Sequence, residues 1–382
     1  MKILHIGKYY PPFMGGIENF MADLLPEQSR QGHQVAAIVH HHEKHLPYLK
    51  EVIHGCAIHR VPFYGQMAYA PISPSFGSYL NQVICEFSPD VIHIHMPNLS
   101  AIWCLFSSQA KTIPWVVHWH ADVIGAVPDL KIKVLYPMYA CFENRILDRS
   151  TKVIATSPPY LSSSLPLQKF RHKTTVIPLG INISAKPFQC LATRSTKGSG
   201  TRLRLLVIGR LTYYKGHRYL LEAVAQLCAE GLNVHLDIVG GGELEAEIKQ
   251  QVLQLELAAN VHCLGKLSDD DLHTALHSCD LICLPSIERT EAFGVVLLEA
   301  ARVEKPALVT DVSGSGMSWV VQSGVTGLVA KAGDVASLAQ QLRMAYDARD
   351  SLHAMGKAAK QRLNENFDIS VISSKITALC YC

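Results

Sequence analysis

The chain has 382 residues, more than one typical hydrophobic core organises and enough for two α/β domains. Charge is nearly balanced, 35 Lys+Arg against 32 Asp+Glu, and no dense basic stripe with interleaved aromatics occurs, which excludes nucleic acid as a partner. The 11 cysteines are scattered without a Cys-x-x-Cys pair, as expected of reduced thiols in the cytoplasm.

Met1 to Gly7 has too short an apolar core for a signal peptide. The longest uncharged stretch, residues 61–85, is broken by Pro62, Pro71 and Pro74 and is no membrane span. Residues 1–190 hold 16 Lys+Arg against 11 Asp+Glu, and the remainder 19 against 21. A mildly basic first half suits an anionic membrane surface, although chance alone explains so small an imbalance.

From the start of the chain, short β-branched runs alternate with helical patterns. Residues 2–6, 34–39, 91–95, 115–120, 152–156 and 175–178 read as strands. Between Ser184 and Gly200 the pattern lapses into linker composition. A second series of strands follows at 203–208, 234–239, 261–264, 281–284 and 307–310. Runs that are apolar on both faces indicate parallel sheets, so the expected architecture is two doubly wound α/β domains facing a cleft.

Several strands end in residues suited to ligands, which open α/β sheets bind at that edge. Gly15-Gly16, after the first strand and before a helical pattern, can bring backbone amides close to a phosphate, or form a plain tight turn. The pairs His93-x-His95 and His118-x-His120 could ligate a metal, because alternate strand residues share a face. No carboxylate or thiol at recognisable spacing completes a set, so packed histidines and no metal are expected. The run from His40 to His45 reads as a solvated loop.

In the second half, Gly209-Arg210-Leu211 with Lys215-Gly216 places two fixed positive charges after a strand. Gly240-Gly241-Gly242 lacks the last glycine of a dinucleotide fingerprint, because position 245 is Glu. Asp269-Asp270-Asp271 follows Ser268 and is explained by acidic residues in a helix's first turn. After the strand at 281–284, the sequence Pro285-Ser286 leads to Glu291-x7-Glu299, and Gly294 is expected in the first turn of a helix carrying both glutamates. Eight helical residues span about 12 Å, enough to reach both sides of a diphosphate. Free amides at Phe293, Gly294 and Val295 would receive the anion. A bare Glu-x7-Glu is otherwise two surface glutamates on an amphipathic helix.

Taken together, Gly15-Gly16-Ile17-Glu18, His120-Ala121-Asp122, Gly209-Arg210-Leu211-x3-Lys215-Gly216 and Pro285-Ser286…Glu291-x7-Glu299 resemble the motifs of glycosyltransferase family 4, retaining enzymes of the GT-B fold. The resemblance covers nearly the whole chain. Departures are Ala121 for the usual Ser, and Val303-Glu304-Lys305-Pro306 for the usual Cys-Gly-Lys-Pro. It implies domains at 1–185 and 201–365, a linker at 186–200, and a C-terminal segment of about 366–382 returning to the first domain. It also implies catalytic roles for His120, Arg210, Lys215 and Glu291. Gly15, Gly16, Arg210, Lys215, Gly265, Lys266, Leu267, Glu291, Phe293, Gly294, Val295 and Glu299 would bind the nucleotide-sugar. Arg210 and Lys215 would neutralise the departing diphosphate without a metal.

The combinations Tyr213-Tyr214-Lys215-Gly216 and Arg289-Thr290-Glu291-Ala292 look most like bacterial surface-polysaccharide members. They imply a GDP-linked mannose or deoxyhexose donor in preference to a UDP-linked one, and a polysaccharide or lipid-linked glycan acceptor. The expected location is the cytoplasm, peripheral at the inner membrane face. UDP-glucose and UDP-N-acetylglucosamine remain alternative donors, and a nucleotide-sugar epimerase of the same fold remains an alternative activity.

Overall fold

The computed structural model describes residues 1–13, 15–67, 70–123, 130–184 and 202–380. The expected linker at 186–200 lies outside them. The chain divides into two compact units, Met1–Asn182 with Phe367–Cys382, and Ile183–Asn366.

In the first unit, β1 (Lys2–Ile6) leads through α1 (Gly16–Arg30) to β2 (Gln34–His40). Two hairpins follow, β3 (Leu49–Ile53) with β4 (Cys56–Val61), and β5 (Gly65–Met67) with β6 (Ala70–Ile72). After α2 (Phe76–Phe87) come β7 (Val91–Met96), α3 (Trp103–Phe106), β8 (Trp115–Trp119), α4 (Leu130–Arg149), β9 (Lys152–Ala155), α5 (Pro158–Ser163) and β10 (Thr174–Val176). The large sheet runs β10-β9-β8-β7-β1-β2-β4-β3. Every residue of β7 and β8 is buried, the histidines His93, His95 and His118 included, as expected of strands covered on both faces.

The first hairpin departs from the all-parallel expectation, because β3 lies antiparallel on β4 at the sheet edge. Its polar sequence hid it. Arg60, in β4, is buried by pairing with Glu51 of β3 and donating to the backbone carbonyls of Tyr10 and Pro11. His59 is likewise buried against the Tyr48 hydroxyl at 2.7 Å.

The second unit comprises β11 (Leu203–Ile208), α6 (His217–Ala229), β12 (Val234–Val239), α7 (Glu245–Gln254), β13 (Val261–Gly265), α8 (Asp269–Ser278) and β14 (Leu281–Leu284). It continues with α9 (Val295–Arg302), β15 (Ala307–Thr310), α10 (Met317–Val320), β16 (Gly327–Ala330), α11 (Val335–Asp347) and α12 (Arg349–Asn366). The parallel sheet runs β13-β12-β11-β14-β15-β16, with the short β16 an addition to the expected strands. Leu205, Val207, Leu236 and Ile238 of the sheet pack with Leu220, Val224, Leu338 and Leu342 in one buried core. The acidic run Asp269–Asp271 opens α8, where Ser268 Oγ accepts from the Asp271 amide at 3.2 Å.

The chain ends in α13 (Ile369–Cys380), which belongs to the first unit. Gln31, at the end of α1, donates to the Ser370 carbonyl and accepts from Ser373 Oγ, both at 2.9 Å. Strand order reverses between β7 and β1 in one sheet and between β11 and β14 in the other. Loops leaving the carboxyl ends of strands that flank such a reversal splay apart and leave room for a ligand.

Candidate active site

In the second unit the reversal brings together two loops far apart in sequence. β11 runs into Gly209, the exposed Arg210 and a short turn, Tyr213–Lys215. β14 runs into residues 285–294. Gly216 ends the turn with φ at 69°, a left-handed conformation, and a Cβ there would collide with the Pro285 carbonyl. The Ile287 amide donates to the Tyr214 carbonyl at 2.8 Å, which ties the loops by backbone alone.

This tie presents Lys215 to Glu291. Their side chains form an ion pair, each only 13% exposed. Burial pushes the Lys215 ammonium down, but Glu291, reinforced by Tyr214, more than offsets this and holds the pKa above its usual value. The lysine therefore stays charged throughout the neutral range. Burial also raises the Tyr214 phenol, with Glu291 adding to the effect.

Glu291 does not lie on the helix that the Glu-x7-Glu spacing suggests. Gly294 is the residue before α9, with φ at 80°, and the helix begins only at Val295. A left-handed residue cannot continue a right-handed helix. Space also demands glycine there, since a Cβ would lie 2.8 Å from Leu297 Cδ1 and 2.9 Å from Leu284 Cδ2. Glu291 instead stands in a loop anchored to the next one: Ser315 Oγ donates to its carbonyl, and the Gly316 amide donates to Ala292 at 2.7 Å. Glu299 is half-buried on α9. The helical estimate of their separation does not apply, because two different backbone segments carry them. Phe293 is buried, and Val295 starts α9, where the first amides of any helix lack intrahelical acceptors.

The remaining expected residues of this unit leave the neighbouring strands. Gly265 ends β13 with φ at 68°, and its carbonyl accepts from the Gly240 amide at 2.8 Å. Lys266 is exposed and Leu267 half-buried. Loops after β13, β12, β11 and β14 thus line one sheet edge in spatial order. They combine a cationic group, a helix start and carboxylates, which suits a molecule bearing both phosphate and hydroxyls.

The first unit's reversal has another character. Gly15 precedes α1 in extended conformation, and Gly16 begins it. A Cβ at Gly15 would collide with the carboxylate of the buried Glu18, so an acidic group already stands at the positive end of this helix. Sequence alone did not show that competition.

His120 follows β8, its amide donating to the Met96 carbonyl at 2.9 Å. Spacing suggested two isolated pairs of histidines, but β1 contributes His5, and five rings gather. Ligand nitrogens of His5, His93 and His95, and of His95, His118 and His120, lie within 4.8 Å of one another. In each group of three, the atom beyond the strand pair belongs to another imidazole rather than to a carboxylate or thiol. The rings of His118 and His120 stack at 4.2 Å, and Phe20 packs edge-on against both. Burial pushes His5 down to about 4, partly opposed by Gln28, and His120 down to about 3. Burial, then neighbouring histidines, holds His93, His95 and His118 well below their usual value. All five are neutral at pH 7.

Two Rossmann-like units with these loops have the form of the GT-B fold. Residues 15–180 match the glycosyl transferase 4-like domain, and residues 193–362 match glycosyl transferases group 1. D-rhamnosyltransferase WbpZ of Pseudomonas aeruginosa is 30% identical over 370 residues, 96% of this chain and 92% of that protein. O-antigen chain mannosyltransferase C of Escherichia coli is 29% identical over 371 residues, 96% and 94% of the two chains. In fold, the chain resembles sucrose-phosphate synthase from Thermosynechococcus elongatus, with a TM-score of 0.79, 21% identity, and coverage of 99% and 98%. The chain belongs to glycosyltransferase family 4.

Proposed function

We propose that this glycosyltransferase is retaining and metal-independent, and moves mannose or a deoxyhexose from a GDP-linked donor to a growing polysaccharide or lipid-linked glycan. The observation that carries the mechanism is the Lys215–Glu291 pair beside the α9 start. The named activities of the two bacterial relatives, mannosyl and D-rhamnosyl transfer, support the donor class.

In this reading Arg210, Lys215 and the amides at Phe293, Gly294 and Val295 hold the diphosphate. Glu291 accepts from sugar hydroxyls, Glu299 from the ribose, and Gly265, Lys266 and Leu267 border the base. His120 stands beside the sugar. Gly15 and Gly16, at the start of α1, are the first unit's phosphate-binding residues. As the bond from sugar C1 to phosphate oxygen breaks, charge grows on the diphosphate, and Lys215 meets it with a charge already in place. The acceptor oxygen attacks on the same face, and its proton passes to the departing phosphate oxygen. No enzymic nucleophile is required.

The acceptor side has a surface to match. Val134 and Met138 on α4 are 69% and 58% exposed, Phe106 at the end of α3 is 64% exposed, and Arg145 is exposed on α4. Exposed apolar groups on a helix that also exposes a basic residue suit the headgroup region of an anionic bilayer. Lys131 and Lys133 belong to α4, but their side chains lie outside the described residues. Among the described residues, no helix is long and apolar enough to cross a membrane.

Incubation with GDP-mannose, GDP-rhamnose, UDP-glucose and UDP-N-acetylglucosamine, with and without excess chelator, tests this reading. GDP-sugar turnover with retained anomeric configuration and no chelator effect is expected. Turnover of a UDP-sugar alone would overturn the donor assignment, epimerised product the activity, and inactivation by chelator reversed by manganese the diphosphate grip.

A further inference from the structure

Beneath α1 the buried histidines form a directed chain. Gln28 Oε1 lies 2.7 Å from His5 Nε2, His5 Nδ1 lies 3.0 Å from His95 Nε2, and His95 Nδ1 lies 3.0 Å from His120 Nε2. Gln28 and His5 are wholly buried, and His95 and His120 nearly so. A carboxamide oxygen only accepts, so the proton of His5 sits on Nε2. A neutral imidazole has one donor and one acceptor. His5 Nδ1 is therefore bare and accepts from His95 Nε2–H. By the same rule His95 Nδ1 accepts from His120 Nε2–H.

The rule ends at His120 Nδ1, a bare lone pair with no hydrogen-bond partner among the described residues. Its character is set at the far end. Were the amide nitrogen of Gln28 turned to His5, each proton would shift to the other ring nitrogen, and His120 would present an N–H instead.

We propose that Gln28, acting through His5 and His95, is a positioning residue that fixes His120 as the Nε2–H tautomer and makes its Nδ1 an acceptor for a hydroxyl of the transferred sugar. The proposal rests on the reading above that places His120 beside that sugar. The chemistry favours a hydroxyl. A buried acceptor left unpaired is costly, and an O–H donor satisfies it without adding charge. A diphosphate oxygen has no proton to give and is turned away. The chain thus lets a neutral histidine separate sugar from phosphate, the task that charge performs in the other unit.

Long-range proton–nitrogen NMR of the full chain labelled with 15N-histidine reads the tautomers directly. His5, His95 and His120 are expected as Nε2–H at pH 7. The matching nucleoside diphosphate should leave the His120 Nδ1 resonance in place, and whichever of GDP-mannose, GDP-rhamnose, UDP-glucose and UDP-N-acetylglucosamine is hydrolysed should move it toward a hydrogen-bonded position. Gln28→Met should mix the tautomers and lower kcat about tenfold with GDP affinity unchanged, a split that loss of packing alone would not produce. Should that variant fail to fold, the wild-type spectra decide. A proton on His120 Nδ1 would overturn the proposal, as would stoichiometric zinc in the purified protein with unprotonated rings. A hydrolysed donor that leaves Nδ1 unmoved would do the same. If none of these four donors is hydrolysed, the transferase reading fails instead, and the tautomer assignment is judged on the free protein's spectrum.

Discussion

The loops after β11 and β14 and the loops after β1, β7 and β8 hold the same place in their sheets, but their side chains differ in kind. In the second unit the reversal is lined by charge: Lys215 and Glu291 are paired and mostly buried, and Arg210 is exposed. In the first, the flanking strands β1, β7 and β8 and the residue after β8 pack five imidazoles that burial keeps neutral. A topological reversal supplies room and converging strand ends, but it leaves the electrostatics to the loops and to the faces the strands present. Charge suits a leaving diphosphate. Neutral donors and acceptors suit hydroxyls, whose recognition depends on direction rather than on field.

The largest effects should come from breaking the charged side. Lys215→Ala is expected to lower kcat by about two to three orders of magnitude, the scale of removing one charge-stabilising donor. Glu291→Ala should abolish transfer but leave GDP affinity within a few-fold of wild type by calorimetry. Equal losses of GDP affinity in both would remove the division between phosphate and sugar contacts. A smaller loss is expected from Glu299→Ala, about tenfold in GDP affinity, through the ribose. If its nucleotide affinity is unchanged but transfer is lost, the two glutamates have exchanged roles.

Acid separates the units in another way. The folded pKa values of His5 at about 4 and His120 at about 3 lie below the unfolded value near 6.5. Between these values the unfolded chain binds more protons, so stability rises with pH. This stability is fully present above about pH 6.5 and is lost as pH falls through the folded values. Calorimetry from pH 7 to pH 4 should therefore show the first unit's transition moving to lower temperature more steeply than the second's. His118→Phe, which removes one buried imidazole from the stack, should flatten that slope. Parallel shifts in both transitions would deny the first unit its special neutrality.

The smallest expected effect is at the surface. Vesicles containing anionic lipid should retain the protein at low salt and release it at high salt, and Val134→Ser with Met138→Ser should weaken retention several-fold without changing hydrolysis of the soluble donor. Equal retention by neutral vesicles would remove charge from the account.

Legibility in the sequence followed the same division. Arg210 and Lys215 sit in one short motif, and Glu291, Gly294 and Glu299 in another, so contiguous spacing exposed the residues of the charged side before any fold was known. Their placement was less legible: Glu291 stands off the helix because Gly294 adopts a left-handed conformation. On the neutral side, His120 showed in a family motif, but His93, His95 and His118 showed only as members of strand pairs. Gln28 lay unnoticed on a helix face, and His5 in the first strand. The edge hairpin β3–β4 was hidden because Arg60 is buried through ionic and backbone partners rather than by apolar character.

The sequence by itself determined the period of strands and helices, the doubly wound class and the local chemistry of each strand end, since hydrophobic patterning and glycine placement act within a few residues. Tertiary structure alone decided which strand ends meet. Pairing of β11 with β14 carries Lys215 to Glu291, and pairing of β7 with both β1 and β8 carries His5 to His95 and His95 to His120. Those pairings arise from burying whole apolar faces in one sheet, a global free-energy minimum that no short window of sequence contains. The state of each group follows from the same burial: Lys215 stays charged because a carboxylate is buried with it, and His120 stays neutral because burial penalises its charged form.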